Sequence, residues 1–156
     1  MTEQQICTFF LQEVYFGIDV QHVQEVIRPQ AMTPVPLVPP DICGLINLRG
    51  QIITVIDLQR RLEMSEPQTQ STTKLVDEAQ GFNIIVCSDH EVVSLLVDYM
   101  GDVLELAQNT FQPPPATLKG RMRQMLAGAY PLPEGFLLVL DAEKILDVNL
   151  TTQIIE

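Results

Sequence analysis

Residues 44–59 read GLINLRGQIITVIDLQ, the most apolar stretch of the chain. Residues 45–48 and 52–56 have the length and the branched, apolar side chains of strands. Their near-continuous apolarity predicts burial on both faces. Arg49 and Gly50 separate them. A glycine in that place takes φ > 0 and closes a tight hairpin, which holds the guanidinium at a fixed spot where a carboxylate can meet it in a bidentate pair. Only nine residues of the chain are Lys or Arg, so one placed between two core strands needs a reason. Either Arg49-Gly50 is only a turn, or the strands serve partly to hold that arginine out for a partner.

Upstream, residues 6–11 and 14–18 alternate as strands around Gln12-Glu13, which predicts a hairpin. Asp19 is placed to cap a short helical turn reaching Val23. Residues 25–28 read as extended, ended by Pro29. The prolines of PVPLVPP, 34–40, have no N–H for a ladder, so the stretch reads as a linker or edge. Downstream, residues 57–64 predict a short helix with Leu58 and Leu62 on one side. Residues 65–81, SEPQTQSTTKLVDEAQG, are polar and predict a mobile loop between two halves.

Residues 82–87 and 91–97 predict a second hairpin, followed by a strand at 102–106. PPPATLKG, 113–120, reads as a second linker. Residues 125–129 and 136–140 are the last strands, joined through PLPEG. A helix at 141–146 closes the pattern, with Asp141 as N-cap and Ile145-Leu146 facing inward. About nine or ten short strands at this spacing predict an all-β barrel or sandwich with little helix. No internal repeat is legible.

With 156 residues, 46% of them hydrophobic, the chain has material for one domain, or for two small subdomains sharing a core. The net charge of -11 speaks against nucleic acid, whose phosphates draw on clustered Lys and Arg, and against an anionic membrane surface. No long uncharged apolar run predicts a transmembrane span, and MTEQQICTFF has no basic n-region, so no membrane insertion and no signal peptide are expected. Cys7, Cys43 and Cys87 are scattered, form no CxxC and read as small buried hydrophobes of a reducing cytoplasm.

The motifs of phosphate-binding loops, dinucleotide folds, serine hydrolases and zinc proteases are absent. His22 and His90 have no further ligands near them in sequence, and both read as surface residues. Cys43 has no basic neighbour to activate it. Neither an enzyme nor a metal or cofactor site is predicted. What remains is contact chemistry: Glu25 among apolar residues, Arg49-Gly50, and Asp98 and Asp102 bracketing Tyr99-Met100. Isolated charges beside apolar strands have the character of an interface rim, and arginine is favoured at interface hot spots.

In order along the chain, five pieces resemble the CheW family, the coupling proteins of bacterial chemotaxis arrays. They are FGIDVQHVQEVI (16–27), PVPLVPPDICGL (34–45), the NLRG-centred stretch 44–58, VVSLLVDYMGDVLEL (92–106) and LAGAYPLPEGFLLVLDAEKIL (126–146). The resemblance implies two small five-stranded SH3-like β-barrels on a shared core, spanning residues 1–156 as one CheW-like domain. It implies a non-catalytic adaptor between the cytoplasmic tip of a chemoreceptor and the regulatory domain of a CheA-type histidine kinase, with self-association in rings. By position, the family's coupling residues fall on Arg49, Gly50, Gly44, Val23, Glu25 and Val103. On the residues alone, Val23 and Val103 are as readily core as contact, Gly44 as readily a relief of crowding, and Glu25 as readily a solvated edge charge.

The chain departs from the family pattern at Gln59, where a basic residue is common, at Ser94, where glycine is common, and at the bulky Tyr99-Met100. Two other readings stand beside the adaptor. One keeps it and moves it to a pilus, twitching or phototaxis array. The other is a barrel with an apolar pocket for a small ligand.

Overall fold

The computed structural model describes residues 2–64, 81–89 and 91–147. Of the polar loop expected at 65–81, all but Gly81 lies outside the described residues, and so does His90. Among the described residues ten strands form: β1 Glu3–Leu11, β2 Val14–Asp19, β3 Val23–Ile27, β4 Ile42–Leu48, β5 Gln51–Asp57, β6 Phe82–Ser88, β7 Glu91–Val97, β8 Tyr99–Ala107, β9 Leu126–Leu132 and β10 Gly135–Leu140. Three short helices accompany them, α1 Leu58–Arg61, α2 Gly120–Met125 and α3 Ala142–Leu146. Asp57 and Asp141 cap α1 and α3 through side-chain oxygens that accept backbone N–H groups of the first turn, as Asp19 does for the 3-10 turn Val20–His22.

The strands make two five-stranded sheets. The first runs β8-β1-β2-β10-β9 and the second β3-β6-β7-β5-β4. Each curls until its outer strands approach. The chain leaving β3 crosses to β4, where Thr33 and Leu45 exchange backbone hydrogen bonds of 2.8 and 2.9 Å. The chain leaving β8 crosses to β9, where Gln112 and Ala129 exchange two bonds of 2.8 Å. A single bridge thus ties each seam, the geometry of a small SH3-like barrel with an open seam.

The two sheets repeat one topology. In the second, β3-β4-β5-α1 is followed by the hairpin β6-β7, with β5 parallel to β7. In the first, β8-β9-β10-α3 takes the same path, and the hairpin β1-β2 comes from the other end of the chain, with β10 parallel to β2. Small details coincide. Asp57 N bonds to Asp41 O at 2.8 Å, and Asp141 N bonds to Met125 O at 2.9 Å. Val55 lies opposite Ser94 as Val139 lies opposite Gly17. The second half is therefore inserted whole between the pieces of the first.

The period-two alternation of the strands divides the apolar side chains among three clusters. On β7, Val93, Leu95 and Val97 point between the sheets, while Val92 and Leu96 point into the curl of their own sheet. The shared core also takes Phe9, Phe16 and Ile18 from the first sheet, Ile56 and Ile84 from the second, and Leu58, Leu62, Ile145 and Leu146 from α1 and α3 or their ends. Ile46, Leu48, Ile53, Val55 and Ile85 fill the second sheet's interior. Ile6, Tyr130, Leu137 and Val139 fill the first.

Three expectations need correction. Residues 120–125 are helix α2, not the end of a linker and the start of a strand. Arg, Met and Gln favour helix, and Met122 and Met125, three apart, turn onto the shared core. The hairpin of β4 and β5 is not buried on both faces: Ile52 is 61% exposed, because the hairpin's tip runs past the part of β5 that pairs with β7. Of the cysteines only Cys7 is buried, while Cys43 and Cys87 are half-buried. Burial, helped by the carboxylate of Asp57, still pushes the Cys43 thiol up to about 11, so it is protonated at neutral pH.

Ser94 is fully buried on β7, between Val55 and Ile85, and its hydroxyl finds no hydrogen-bond partner among the described residues. An unpartnered buried hydroxyl costs about 1–3 kcal/mol. The equivalent place in the first sheet holds Gly17, with no polar side-chain atom. Ser94→Ala should therefore raise stability by about 1 kcal/mol, read as a higher urea midpoint at unchanged slope. A lower midpoint would show that the hydroxyl is partnered.

Candidate functional site, an exposed arginine at a hairpin tip

The turn between β4 and β5 has two residues, with Leu48 directly opposite Gln51. Arg49 has φ 52 and Gly50 φ 89. Two successive left-handed residues are the signature of the type I′ turn, whose twist matches that of the flanking strands. Nothing lies within 4 Å of where a Cβ on Gly50 would be, so this glycine answers the backbone angle and not a shortage of space. Asn47 fixes the turn from within, its Oδ1 accepting Gly50 N–H at 2.8 Å.

Arg49 projects from this frame with 68% of its side chain exposed, and its Nη2 donates to Oε2 of Glu25. Glu25 belongs to β3 and Arg49 to the β4–β5 hairpin, the two opposite edges of the second sheet. The pair therefore exists only because the sheet curls. An ion pair this exposed is worth about 0–1 kcal/mol to stability. Its effect is on direction: Glu25 holds the guanidinium at Nη2 while most of the side chain stays exposed.

Of the six residues singled out from sequence, the fold brings three together: Arg49, Gly50 and Glu25. Val23 lies next to a β-bulge on β3, half-buried, and packs against the shared core. Gly44 is buried below the turn, where an added Cβ would stand 2.7 Å from the carbonyl oxygen of Thr33. It is the residue that lets the crossing chain close on β4. Val103 is exposed, but on β8 of the other sheet.

The sequence reading passed over two features, one beside the turn and one away from it. Val26 and Ile52 are exposed apolar neighbours of Glu25 and of the turn. Arg61, by contrast, is 1% exposed, with Nε donating to Asp41 Oδ2 at 2.9 Å and Nη1 donating to the carbonyl of Ile145. Leu58, Arg61 and Leu62 stand at i, i+3 and i+4, so the spacing of an inward helix face was present in the sequence.

His22 Nδ1 bonds to the carbonyl of Cys87 at 3.1 Å. Among the described residues no group of three His, Cys, Asp or Glu side chains is arranged to hold a metal ion. Both sheet interiors are filled. Two open surface depressions, about 290 and 330 Å³, are lined in part by carboxylates such as Asp89, Glu91, Asp141 and Glu143. This counts against the small-ligand barrel.

Residues 5–149 match the family model described as the CheW-like domain. The chain belongs to the CheW-like family. It is 30% identical over 141 residues to the chemotaxis protein CheW of Treponema pallidum, covering 90% of this chain and 81% of that one. It is 29% identical over 146 residues to the chemotaxis protein CheW of Bacillus subtilis, covering 94% and 88%. The crystal structure of the scaffolding protein TtCheW from Thermoanaerobacter tengcongensis superposes with a TM-score of 0.75 at 27% identity, covering 90% of this chain and 86% of that one. The CheW-like assignment and the two-sheet fold thus agree with the resemblance carried by NLRG and its four companion pieces.

Proposed function

We propose that this chain is a non-catalytic adaptor in a chemotaxis array, joining the cytoplasmic tip of methyl-accepting receptors to the regulatory domain of a CheA-type histidine kinase. The observation that carries the reading is Arg49, displayed on a rigid I′ turn and aimed by Glu25. Membership of the CheW-like family over nearly the whole chain supports it, as does similarity to a protein described as scaffolding. No described helix is long and apolar enough to cross a membrane, which fits work in the cytoplasm beside membrane-bound receptors. The reading includes self-association in rings, as the resemblance implies.

The test is binding of wild type and Arg49→Glu to the cognate kinase regulatory domain and to a receptor fragment. Glutamate at 49 faces Glu25 and turns attraction into repulsion, while the exposed pair contributes little to folding. Arg49→Glu should keep the wild-type circular dichroism spectrum and a Tm within about 2 °C. It should lose at least about tenfold in affinity, the range of an arginine hot spot. A large fall in Tm would make the arginine structural. Equal binding would move the interface to the strand around Asp102 and Val103.

A further inference from the structure

Residues 29–40, PQAMTPVPLVPP, carry no charged side chain in a chain with a net charge of -11. Within them Pro36 and Leu37 form a turn. Leu37 has φ 61 and is fully exposed. A proline followed by a left-handed residue is the turn pattern in which glycine normally takes the second place. Leucine there is strained by its Cβ, and its side chain gains nothing from burial. Strain held at a residue that contributes no packing points to a role outside the fold.

The frame around Leu37 is stiff. Pro34, Pro36, Pro39 and Pro40 fix their own φ. The Thr33–Leu45 bridge anchors one end of the loop, and Ile42 N donating to Pro39 O at 3.0 Å anchors the other. The leucine is therefore already ordered before a partner arrives, which lowers the entropic cost of binding.

The loop also continues the Arg49 site. From Glu25, beside the turn, the chain runs down the seam next to β4, passes Thr33 at Leu45, and reaches Pro39 at Ile42. Val26, Met32 and Leu37 are exposed in that order along it. The seven residues of β4 span roughly 20 Å, a length that fits within one standard protein interface.

Resting on the adaptor reading above, we propose that Leu37 is an apolar anchor of the same interface. It inserts into a leucine-sized apolar pocket on the protein that Arg49 contacts. The recognition at this end of the seam is by shape and apolar burial, in contrast to the charged contact at the turn.

The test measures Leu37→Gly and Leu37→Met beside wild type and Arg49→Glu, against the kinase regulatory domain and the receptor fragment, with a thermal melt of each variant. Glycine relieves the turn, so Leu37→Gly should melt no lower than wild type. It should lose about tenfold or more in affinity for the partner that Arg49→Glu also weakens. Leu37→Met, which keeps the apolar reach, should stay within about threefold of wild type. Unchanged binding by Leu37→Gly overturns the proposal and leaves the adaptor reading standing. So does a loss matched by a lower Tm, or a loss toward a partner indifferent to Arg49→Glu. Wild type binding neither protein overturns the adaptor reading and this proposal together.

Discussion

Arg61→Ala should lower stability by about 3–5 kcal/mol, the cost of breaking a buried ion pair from one side. The guanidinium is out of water altogether, and the side chain of Asp41 is 7% exposed. At 2.9 Å from Nε, Asp41 offsets the desolvation of Arg61, and the carbonyl of Ile145 takes a second donor. Alanine leaves a buried carboxylate without its countercharge and that carbonyl without Arg61. The loss is a large share of the 5–15 kcal/mol that is typical of a folded domain. It should appear as a fall in Tm of about 10 °C or more.

Two companions make the result interpretable. Arg60, one residue earlier, is half-exposed, with Asp57 at 3.5 Å, and Arg60→Ala should cost less than about 1 kcal/mol. The double variant Arg61→Met, Asp41→Leu removes both charges and keeps volume, so it should be more stable than Arg61→Ala. A cost below about 1 kcal/mol for Arg61→Ala would mean that water reaches the pair.

The contrast between these two arginines shows what was legible in the sequence. Strand positions follow from alternation and turn residues, which act locally, so the hairpins of β1–β2, β4–β5 and β6–β7 fall where the pattern puts them. The aspartate caps of α1 and α3 are equally local. Whether Arg60 or Arg61 turns inward depends on how a one-turn helix is phased against a core built by distant strands. The i, i+3, i+4 spacing with Leu58 and Leu62 held that information, but the charge of Arg61 masked it. In the other half the same place is held by Ile145, four residues after Asp141 as Arg61 is four after Asp57.

The candidate site was legible as a set of residues and not as a geometry. Resemblance to the family put Glu25 and Arg49, 24 positions apart, among its coupling residues. Their pairing comes from the curl of a sheet whose edges are bridged through the backbone at Thr33 and Leu45. The repeat was illegible for a related reason. It resides in backbone hydrogen bonds and in the interleaved order of the strands, while the side chains of the two halves have little in common beyond a glycine near each seam and an aspartate before each helix.

Those two glycines give the second large effect. Gly44 precedes Leu45, and Gly128 precedes Ala129, the residues bridged across the two seams. A Cβ on Gly128 would stand 2.5 Å from Gln112 O and 2.4 Å from the ring of Phe111. A Cβ on Gly44 would stand 2.7 Å from Thr33 O and 3.3 Å from Met32 Cβ. At each seam the crossing backbone must move away or the bridge must lengthen. Overpacking of this kind costs about 1–3 kcal/mol. Gly128→Ala should lie at the upper end, because it meets both the Gln112 backbone oxygen and the Phe111 ring, which packs on Tyr130 at a ring separation of 4.9 Å.

The two variants should also part in where they act. Gly44→Ala loosens the second seam, so the Thr33 and Leu45 amides should exchange hydrogen faster while Ala129 stays protected. As β3 and the hairpin separate, Glu25 draws away from Arg49 and partner affinity falls with the seam. Gly128→Ala should free the Gln112 and Ala129 amides and leave the Arg49 site intact. If Gly44→Ala weakens partner binding with the Thr33–Leu45 bridge still protected, holding the seam is not how Gly44 acts on binding. If binding and protection fall together, its part in coupling is to hold the seam that presents Arg49.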